Sequence, residues 1–238
     1  MSVVTLSLSS DATDEEIHLV SNEFEGAAPE DILRWTIEEF GDTVALATGF
    51  GAEGCALVSM LARINRRARI FYLDTDLLFQ ETYELKATLE QRYGVYFERR
   101  ATSLSLHDQS KQYGERLWET QPDLCCRLRK VEPLKETLSN LSAWITAIRR
   151  DQSAARAGIG IVERDKKFGI IKVNPLAAWT SRDVWKYIFN NDVPYNPLHD
   201  LNYPSIGCAP CTSPVCAGED PRTGRWRGKE KTECGLHQ

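Results

Sequence analysis

Cysteine is unevenly spread along this chain, and its placement is the first sign of chemistry. Cys125 and Cys126 are adjacent, Cys208 and Cys211 form a C-x-x-C pair, and Cys234 stands near the end in Glu233-Cys234-Gly235-Leu236-His237. Adjacent cysteines do not easily form a relaxed disulfide with each other. Two pairs brought together would offer four soft thiolates, a set that suits zinc or an iron–sulfur cluster. Structural zinc usually takes cysteines separated by two to four residues, so the tandem pair favours the cluster. Buried cysteines also act as small apolar fillers. The run Arg127-Leu128-Arg129-Lys130 directly after Cys126 argues against that role there, because its charges would stabilise thiolates and anions alike. Cys234 follows Arg222, Arg225, Arg227, Lys229 and Lys231 and precedes His237. A thiolate among such cations becomes a good nucleophile, and a terminal segment can move between a substrate and a protein partner. Chemistry alone leaves the alternative of an exposed, unimportant thiol on a frayed end. Cys55 reads as an apolar filler on a helix starting at Gly54, and Cys216 has no assigned role.

These residues need a scaffold, and the middle of the chain supplies its pattern. VALAT reads as a buried strand, GFGAEG as a glycine-rich turn and CALVSMLARI as the helix after it. RIFYLDTD, LLFQETYELKATLEQRYG and VYFERRA follow as strand, helix and strand. That order is the signature of a parallel sheet covered by helices. VEPLKETLSNL reads as a helix, AWITAIR and IIKVNPLAAW as strands, and SRDVWKYIFNN as a helix capped by Ser181. Upstream, Pro29 opens the amphipathic helix PEDILRWTIEEFG, and Asp11 or Thr13 caps a helix before it. Residues 1–28 read as an N-terminal arm, 29–200 as a nucleotide-binding α/β domain and 201–238 as a Cys-rich tail without periodicity.

Backbone N–H groups at the turn from Thr48 to Gly54 could cradle a phosphate at a helix N-terminus, although the lysine and hydroxyl of a Walker loop are missing. A plain β–α turn explains the same residues. Asp74, Thr75 and Asp76 end the next strand, at the edge where open parallel sheets bind ligands.

Composition narrows the classes. Hydrophobic residues at 42% and charged residues at 26% of 238 are ordinary for a soluble globular chain. No apolar run reaches the length of a membrane span, and the N-terminus lacks the features of a secretory signal, so a cytosolic protein is expected. In a reducing cytosol, clustered cysteines suggest metal or catalysis rather than disulfides. A net charge of −5 disfavours a general nucleic-acid binder.

Taken together, CCRLRKVEPL, GCAPCT, RTGRWRGKEKTECGLH and LDTDLLFQETYEL resemble the assimilatory adenylyl-sulfate reductases of the sulfonucleotide reductase family, over roughly residues 30–238. The resemblance implies a Rossmann-like, mostly parallel sheet flanked by helices, of the adenine nucleotide alpha hydrolase or ATP pyrophosphatase type. It implies one four-iron four-sulfur cluster on Cys125, Cys126, Cys208 and Cys211. Cys234 would be the nucleophile, His237 would lie close to it, and Lys130 would stand between cluster and sulfate. Adenosine would sit over Thr48, Gly49 and Gly51 and the strand end Leu73, Asp74 and Thr75. Arg222 and Arg225 would engage the phosphosulfate, and Arg149, Arg150 and Arg156 would add positive charge. The implied reaction reduces adenylyl sulfate to sulfite and AMP through an S-sulfocysteine, with thioredoxin or a glutaredoxin-like donor as partner; a homo-oligomer is left open.

The chain departs from the family pattern in two places. A loop often written SFSGAED reads TGFGAEG here, and the stretch from Arg225 to Cys234 is short and lacks further tryptophans after Trp226. The nearest rival is reduction of the 3′-phosphorylated nucleotide, whose dedicated reductases usually keep the ECGLH tail without the cluster cysteines. More distant rivals are a tRNA thiolase with an iron–sulfur cluster and a zinc-stabilised interaction module.

Overall fold

A computed structural model describes residue 8, residues 12–231 and residues 233–236. Asp11 and His237 lie outside the described residues. Strands β1 (Val44–Ala47), β2 (Arg69–Leu73), β3 (Phe97–Arg100), β4 (Ala143–Ile145), β5 (Val162–Arg164) and β6 (Ile171–Val173) form one sheet in the order β3-β2-β1-β4-β6-β5. All pairings are parallel except β5 with β6. The chain builds outward from β1 to β2 and β3, then returns to lay β4 on the other side of β1. That reversal opens a crevice between the loops leaving β1 and β4, the usual ligand position in such sheets.

Side-chain alternation explains why the sheet is covered on both faces. Val44, Leu46, Ile70, Tyr72, Ala143 and Ile145 join the larger core, whereas Ala45, Phe71 and Trp144 point into a second cluster with Leu134, Leu138 and Leu141. The larger core is filled by α3 (Ala52–Ile64), whose residues Cys55 to Leu61 are all buried. Helices α2 (Pro29–Phe40) and α9 (Ser181–Asn190) pack against α3. Cys55 is fully buried, and burial pushes its thiol up, which matches an apolar filler. Helix α1 (Asp14–Glu23) opens with a capping box between Thr13 and Glu16 and packs on β5.

Several boundaries correct the sequence expectations. Thr180, not Ser181, caps α9, because its hydroxyl accepts from Asp183 N–H. The expected strands AWITAIR and IIKVNPLAAW shrink to three residues each, since beyond them the chain turns away to form the crevice. Several elements were not anticipated. β5 is a short antiparallel edge, and α5 (Leu106–Tyr113) is a polar helix capped by Ser105. Short helices α6 (Leu117–Thr120) and α7 (Pro122–Cys126), also not anticipated, follow it; α8 (Glu132–Leu138) covers the second face through Leu134 and Leu138, and α4 (Gln80–Tyr93) joins β2 to β3.

The glycine turn after β1 accounts for its own departures. Thr48 is buried, and its Oγ1 accepts from Phe50 N–H at 3.1 Å. A Cβ at Gly54 would lie 2.5 Å from that same oxygen. Threonine in this rotamer therefore requires glycine at position 54, and a carboxylate at 54 would not fit beside it. Gly54→Ala is expected to cost about 1–3 kcal/mol, as overpacking does. In Thr48→Ala the same change should cost less. Equal costs in a thermal-melt double-mutant cycle would refute the contact.

Candidate active site

The two cysteine pairs arrive by different routes. Cys125 and Cys126 end α7, and the helix continues into a π-helical turn, Arg127–Val131, before α8. The extra residue of a π turn re-aims side chains, and such turns occur often at functional sites. Here it lets Cys125, Cys126, Arg129 and Lys130 all line one small enclosed cavity. The tail contributes Cys208 and Cys211 to the same cavity by folding back over the β2–α4 connection, where Leu78 and Cys208 form an antiparallel bridge. Ala209 N–H donates to Leu77 O at 2.7 Å. Thr75 Oγ1 lies 3.3 Å from Cys208 Sγ.

Arg129 clamps this junction. Its side chain is about 1% exposed, and its guanidinium donates to Gln109 Oε1 at 2.7 Å, Thr75 O at 3.0 Å, Asp76 Oδ2 at 3.0 Å and Leu104 O at 3.1 Å. A buried guanidinium is tolerable when its donors are satisfied in this way. Sequence reasoning gave Arg129 no role of its own. The signal available was an arginine inside a helix whose neighbours are cysteines.

Electrostatics distinguish the four thiols. Burial, then the neighbouring sulfurs, push Cys125 up to about 12 and Cys211 up to about 11. Burial also raises Cys126, against the pull of Lys130 and Lys231. Burial works in the same direction at Cys208, but the Lys130 ammonium, Thr75 Oγ1 and Arg225 outweigh it and hold that thiol below its ordinary value. Burial disfavours the Lys130 ammonium, yet Cys208 and Cys234 more than compensate and raise it. Lys130 thus interacts with the four-cysteine cavity and with the tail cysteine at once.

The tail is docked at this place. Lys229 reaches Glu119 O, Lys231 pairs with Asp123, and the Lys231 ammonium lies 5.4 Å from the centre of the Trp226 ring. Lys167 Nζ donates to Gly235 O at 2.6 Å, and Leu236 packs against the cluster containing Trp144. Cys234 is half-buried between these anchors. Arg225 lies over Trp226, 4.6 Å from the ring centre, and packs on Gly207, where any Cβ would collide with its guanidinium.

The expected substrate arginines fall into two groups. Arg156 and Arg222 converge, both donating to Glu233, at 3.1 Å and 2.9 Å. Burial, with Arg222 beside it, pushes the Arg156 guanidinium down, against Glu233. Arg149 is instead held by Glu53 at 3.0 Å and by Asp151. Arg150 reaches back to Glu25 and to Ile159 O. Arg149 and Arg150 still border a broad cleft at the crevice, together with Gly51, Glu53, Trp185 and Arg222. Gly49 is exposed beside it, and Leu73 is half-buried at the end of β2.

Asp74 is buried and already engaged. It accepts from Arg99 Nε at 2.6 Å, Tyr83 Oη at 2.7 Å and Asp76 N–H at 3.0 Å. Thr75 turns toward the cysteines instead of the cleft. The strand end therefore braces the site through side chains. Glu233, which sequence reasoning passed over, is the unanticipated participant; its signal was its place next to Cys234 in an otherwise basic tail.

The family described as the phosphoadenosine phosphosulfate reductase domain matches residues 43–214, which span the crevice and both cysteine pairs. The chain belongs to this family. An adenosine 5′-phosphosulfate reductase of Salinibacter ruber is 50% identical over 216 residues, covering 90% of this chain and 86% of that protein. Adenosine 5′-phosphosulfate reductase 2 of Bacillus subtilis is 51% identical, covering 87% of this chain and 89% of that protein. The crystal structure of a phosphoadenylyl-sulfate reductase from Candida auris, a phosphate complex, superposes with a TM-score of 0.75 at 30% identity, over 88% of this chain and 100% of that one. A Candida glabrata FMN adenylyltransferase shares the fold at TM-score 0.58 and 12% identity, covering 96% of this chain and 81% of that one. The expected fold class and the family resemblance are both met. Among the described residues, no helix is long and apolar enough to cross a membrane.

Asp74 supplies a stability test. Burial works against its carboxylate, but Arg99, Tyr83 and the Asp76 N–H hold it below its ordinary value of 3.8. Its contribution is therefore present above that value and lost as the pH falls through it toward the folded value. Asp74→Asn is expected to lower stability at neutral pH by about 1–3 kcal/mol, the scale of a lost charged hydrogen bond. Wild type and variant should converge progressively as the pH falls below 3.8 toward the lowered folded value. A constant gap in thermal melts across that range would refute the assignment.

Proposed function

We propose that this chain reduces adenylyl sulfate to sulfite and AMP, with Cys234 as the nucleophile and a dithiol protein of the thioredoxin or glutaredoxin type as reductant. The observation that carries the reading is that Lys130 lines the cavity of the four cysteines, with the tail leading to Cys234 docked there through Lys231 on Asp123. An anionic nucleophile must approach an anionic sulfate, and fixed cations in a water-poor site make that approach feasible. Lys130, Arg156, Arg222 and Arg225 supply them. Residues 29–200 act as the nucleotide-binding domain and 201–238 as the tail that returns the reactive cysteine, with residues 1–28 as an N-terminal arm.

The nucleotide lies in the crevice, with Thr48, Gly49 and Gly51 at one wall and the phosphosulfate toward Arg156, Arg222 and Arg225. Leu73 and the backbone of Asp74 and Thr75 border the adenosine, and Arg149 and Arg150 add positive potential from the far wall. The Cys234 thiolate attacks the sulfate sulfur and forms a sulfur–sulfur bond. The bond from sulfur to the bridging oxygen breaks, and AMP leaves with that electron pair. The enzyme then holds an S-sulfocysteine. A thiolate of the reductant attacks Cys234 Sγ, sulfite departs with the bonding pair, and the reductant's second thiolate resolves the mixed disulfide. The two electrons thus come from the dithiol.

Cys125, Cys126, Cys208 and Cys211 fit an iron–sulfur cluster. They line one small enclosed cavity. Burial and mutual repulsion keep three of the thiols protonated in isolation, which is the demand a cationic centre answers, since metal binding releases thiol protons. A bound four-iron four-sulfur cluster would supply fixed charge next to Lys130. The surrounding chain orients Lys130, through Arg129 and the π turn, toward the place of the sulfate.

The 3′-phosphorylated nucleotide is the second reading, favoured by the likeness to the Candida auris protein. The four-cysteine cavity and the likeness to the bacterial adenosine 5′-phosphosulfate reductases favour the unphosphorylated one. Sulfite release from each nucleotide, with reduced thioredoxin in anaerobic buffer, decides between them. Adenylyl sulfate is expected to be the better substrate, and Lys130→Gln should lower its kcat by about 10²–10³-fold, the scale of losing one oriented electrostatic donor. Turnover of neither nucleotide would overturn the reading; faster turnover of the 3′-phosphorylated one would establish the second.

A further inference from the structure

We propose that Glu233 is a positioning residue for the reaction: its carboxylate, held between Arg156 and Arg222, sets the register of the tail so that Cys234 stands against the sulfate. This deepens the proposed function and rests on Cys234 being the nucleophile.

The two arginines come from separate segments. Arg156 ends a short helical turn, Ala154–Arg156, in the excursion after β4, and Arg222 lies in the tail beyond the C-x-x-C pair. Arg156 is further fixed by Gln152 Oε1. Arg156 and Glu233 have side chains only 11% and 13% exposed. Two cations in so dry a place require an anion between them, and Glu233 provides it from the residue directly before Cys234. Downstream, Lys167 holds Gly235 O and Leu236 is seated in the second apolar cluster. Cys234 is thus fixed from both sides, by an ion pair before it and a hydrogen bond and apolar contact after it. Glu233 is the only one of these anchors that ties the tail to the cations expected to hold the phosphosulfate.

Charge balance supports Glu233 remaining in place with substrate present. Lys130, Arg156, Arg222 and Arg225 carry four positive charges. The Cys234 thiolate, the Glu233 carboxylate and the two charges of a phosphosulfate bring four negative ones.

The test is single-turnover formation of the Cys234 sulfite adduct at saturating adenylyl sulfate, without reductant, in the full-length, cluster-loaded protein. Glu233→Gln is expected to slow the adduct rate by about 10–100-fold, the scale of a misplaced reacting group. Its half-saturating nucleotide concentration should stay within about threefold of wild type, because uniform binding is not what is lost. Glu233→Asp, which keeps the charge, should recover part of the rate, and it carries the test if the glutamine variant fails to fold. Adduct formation at the wild-type rate in both variants would overturn the role, and so would an unchanged saturating rate with tighter AMP binding, since Glu233 would then be a mere competitor for the arginines. A wild-type chain that forms no adduct would overturn the nucleophile assignment itself and this role with it.

Discussion

The attraction between the Lys130 ammonium and the thiols on either side of it is the interaction on which the rest of the site depends. A buried ammonium is costly unless neighbouring groups offset its charge, and the two thiols that do so here belong to different segments. Cys208 belongs to the four-cysteine cavity and Cys234 to the tail, and both raise the lysine against the effect of burial. Reciprocally, Lys130 holds the Cys208 thiol below its ordinary value although that residue is almost wholly buried. One cation thereby links the four-cysteine cavity to the tail that carries Cys234.

The fold serves this juxtaposition in a definite order. A sheet built outward from β1 leaves a crevice at its carboxyl edge, and the loops there have short, buried strands behind them. Helix α7 and its π turn bring one cysteine pair and Lys130 beneath the crevice. The tail brings the second pair by bridging back onto the β2–α4 connection. Arg129 joins the two by bonding Thr75 O and Asp76 from the helix side. Asp74, anchored by Arg99 and Tyr83, stiffens the same connection. The bracing of the strand end after β2 and the bracing of the cysteine cavity are thus largely one set of hydrogen bonds.

Much of this was legible in the residues. The alternation of apolar runs and turns marked β1, α3, β2, α4 and β3, because buried parallel strands and their crossover helices have strong patterns. The cysteine spacing pointed to a shared thiolate site, and the cavity lined by all four agrees with that expectation. Other features were not legible. The three-residue edge strand β5 is too short to show a period, and β4 and β6, although expected, end earlier than their apolar runs suggest. The polar helix α5 has little apolar stripe to reveal it, since Gln109 is its buried residue. Among the basic residues, type alone could not show that Arg149 and Arg150 are tied to nearby carboxylates while Arg156 and Arg222 converge on Glu233. Partner choice depends on distant segments meeting, and a single sequence does not state it. The Thr48–Gly54 pair is a similar case: each residue looked like a departure alone, and geometry shows the two to be matched.

The most direct test of the central claim locates the sulfur. Anaerobic, cluster-loaded protein would be exposed to adenylyl sulfate with no thiol present, then digested and read by peptide mass spectrometry. The proposed mechanism requires one sulfite unit on the peptide carrying Cys234 and none on those carrying Cys125, Cys126, Cys208 or Cys211. A sulfite unit on any of those four, or a Cys234 peptide left unmodified while AMP accumulates, would contradict it.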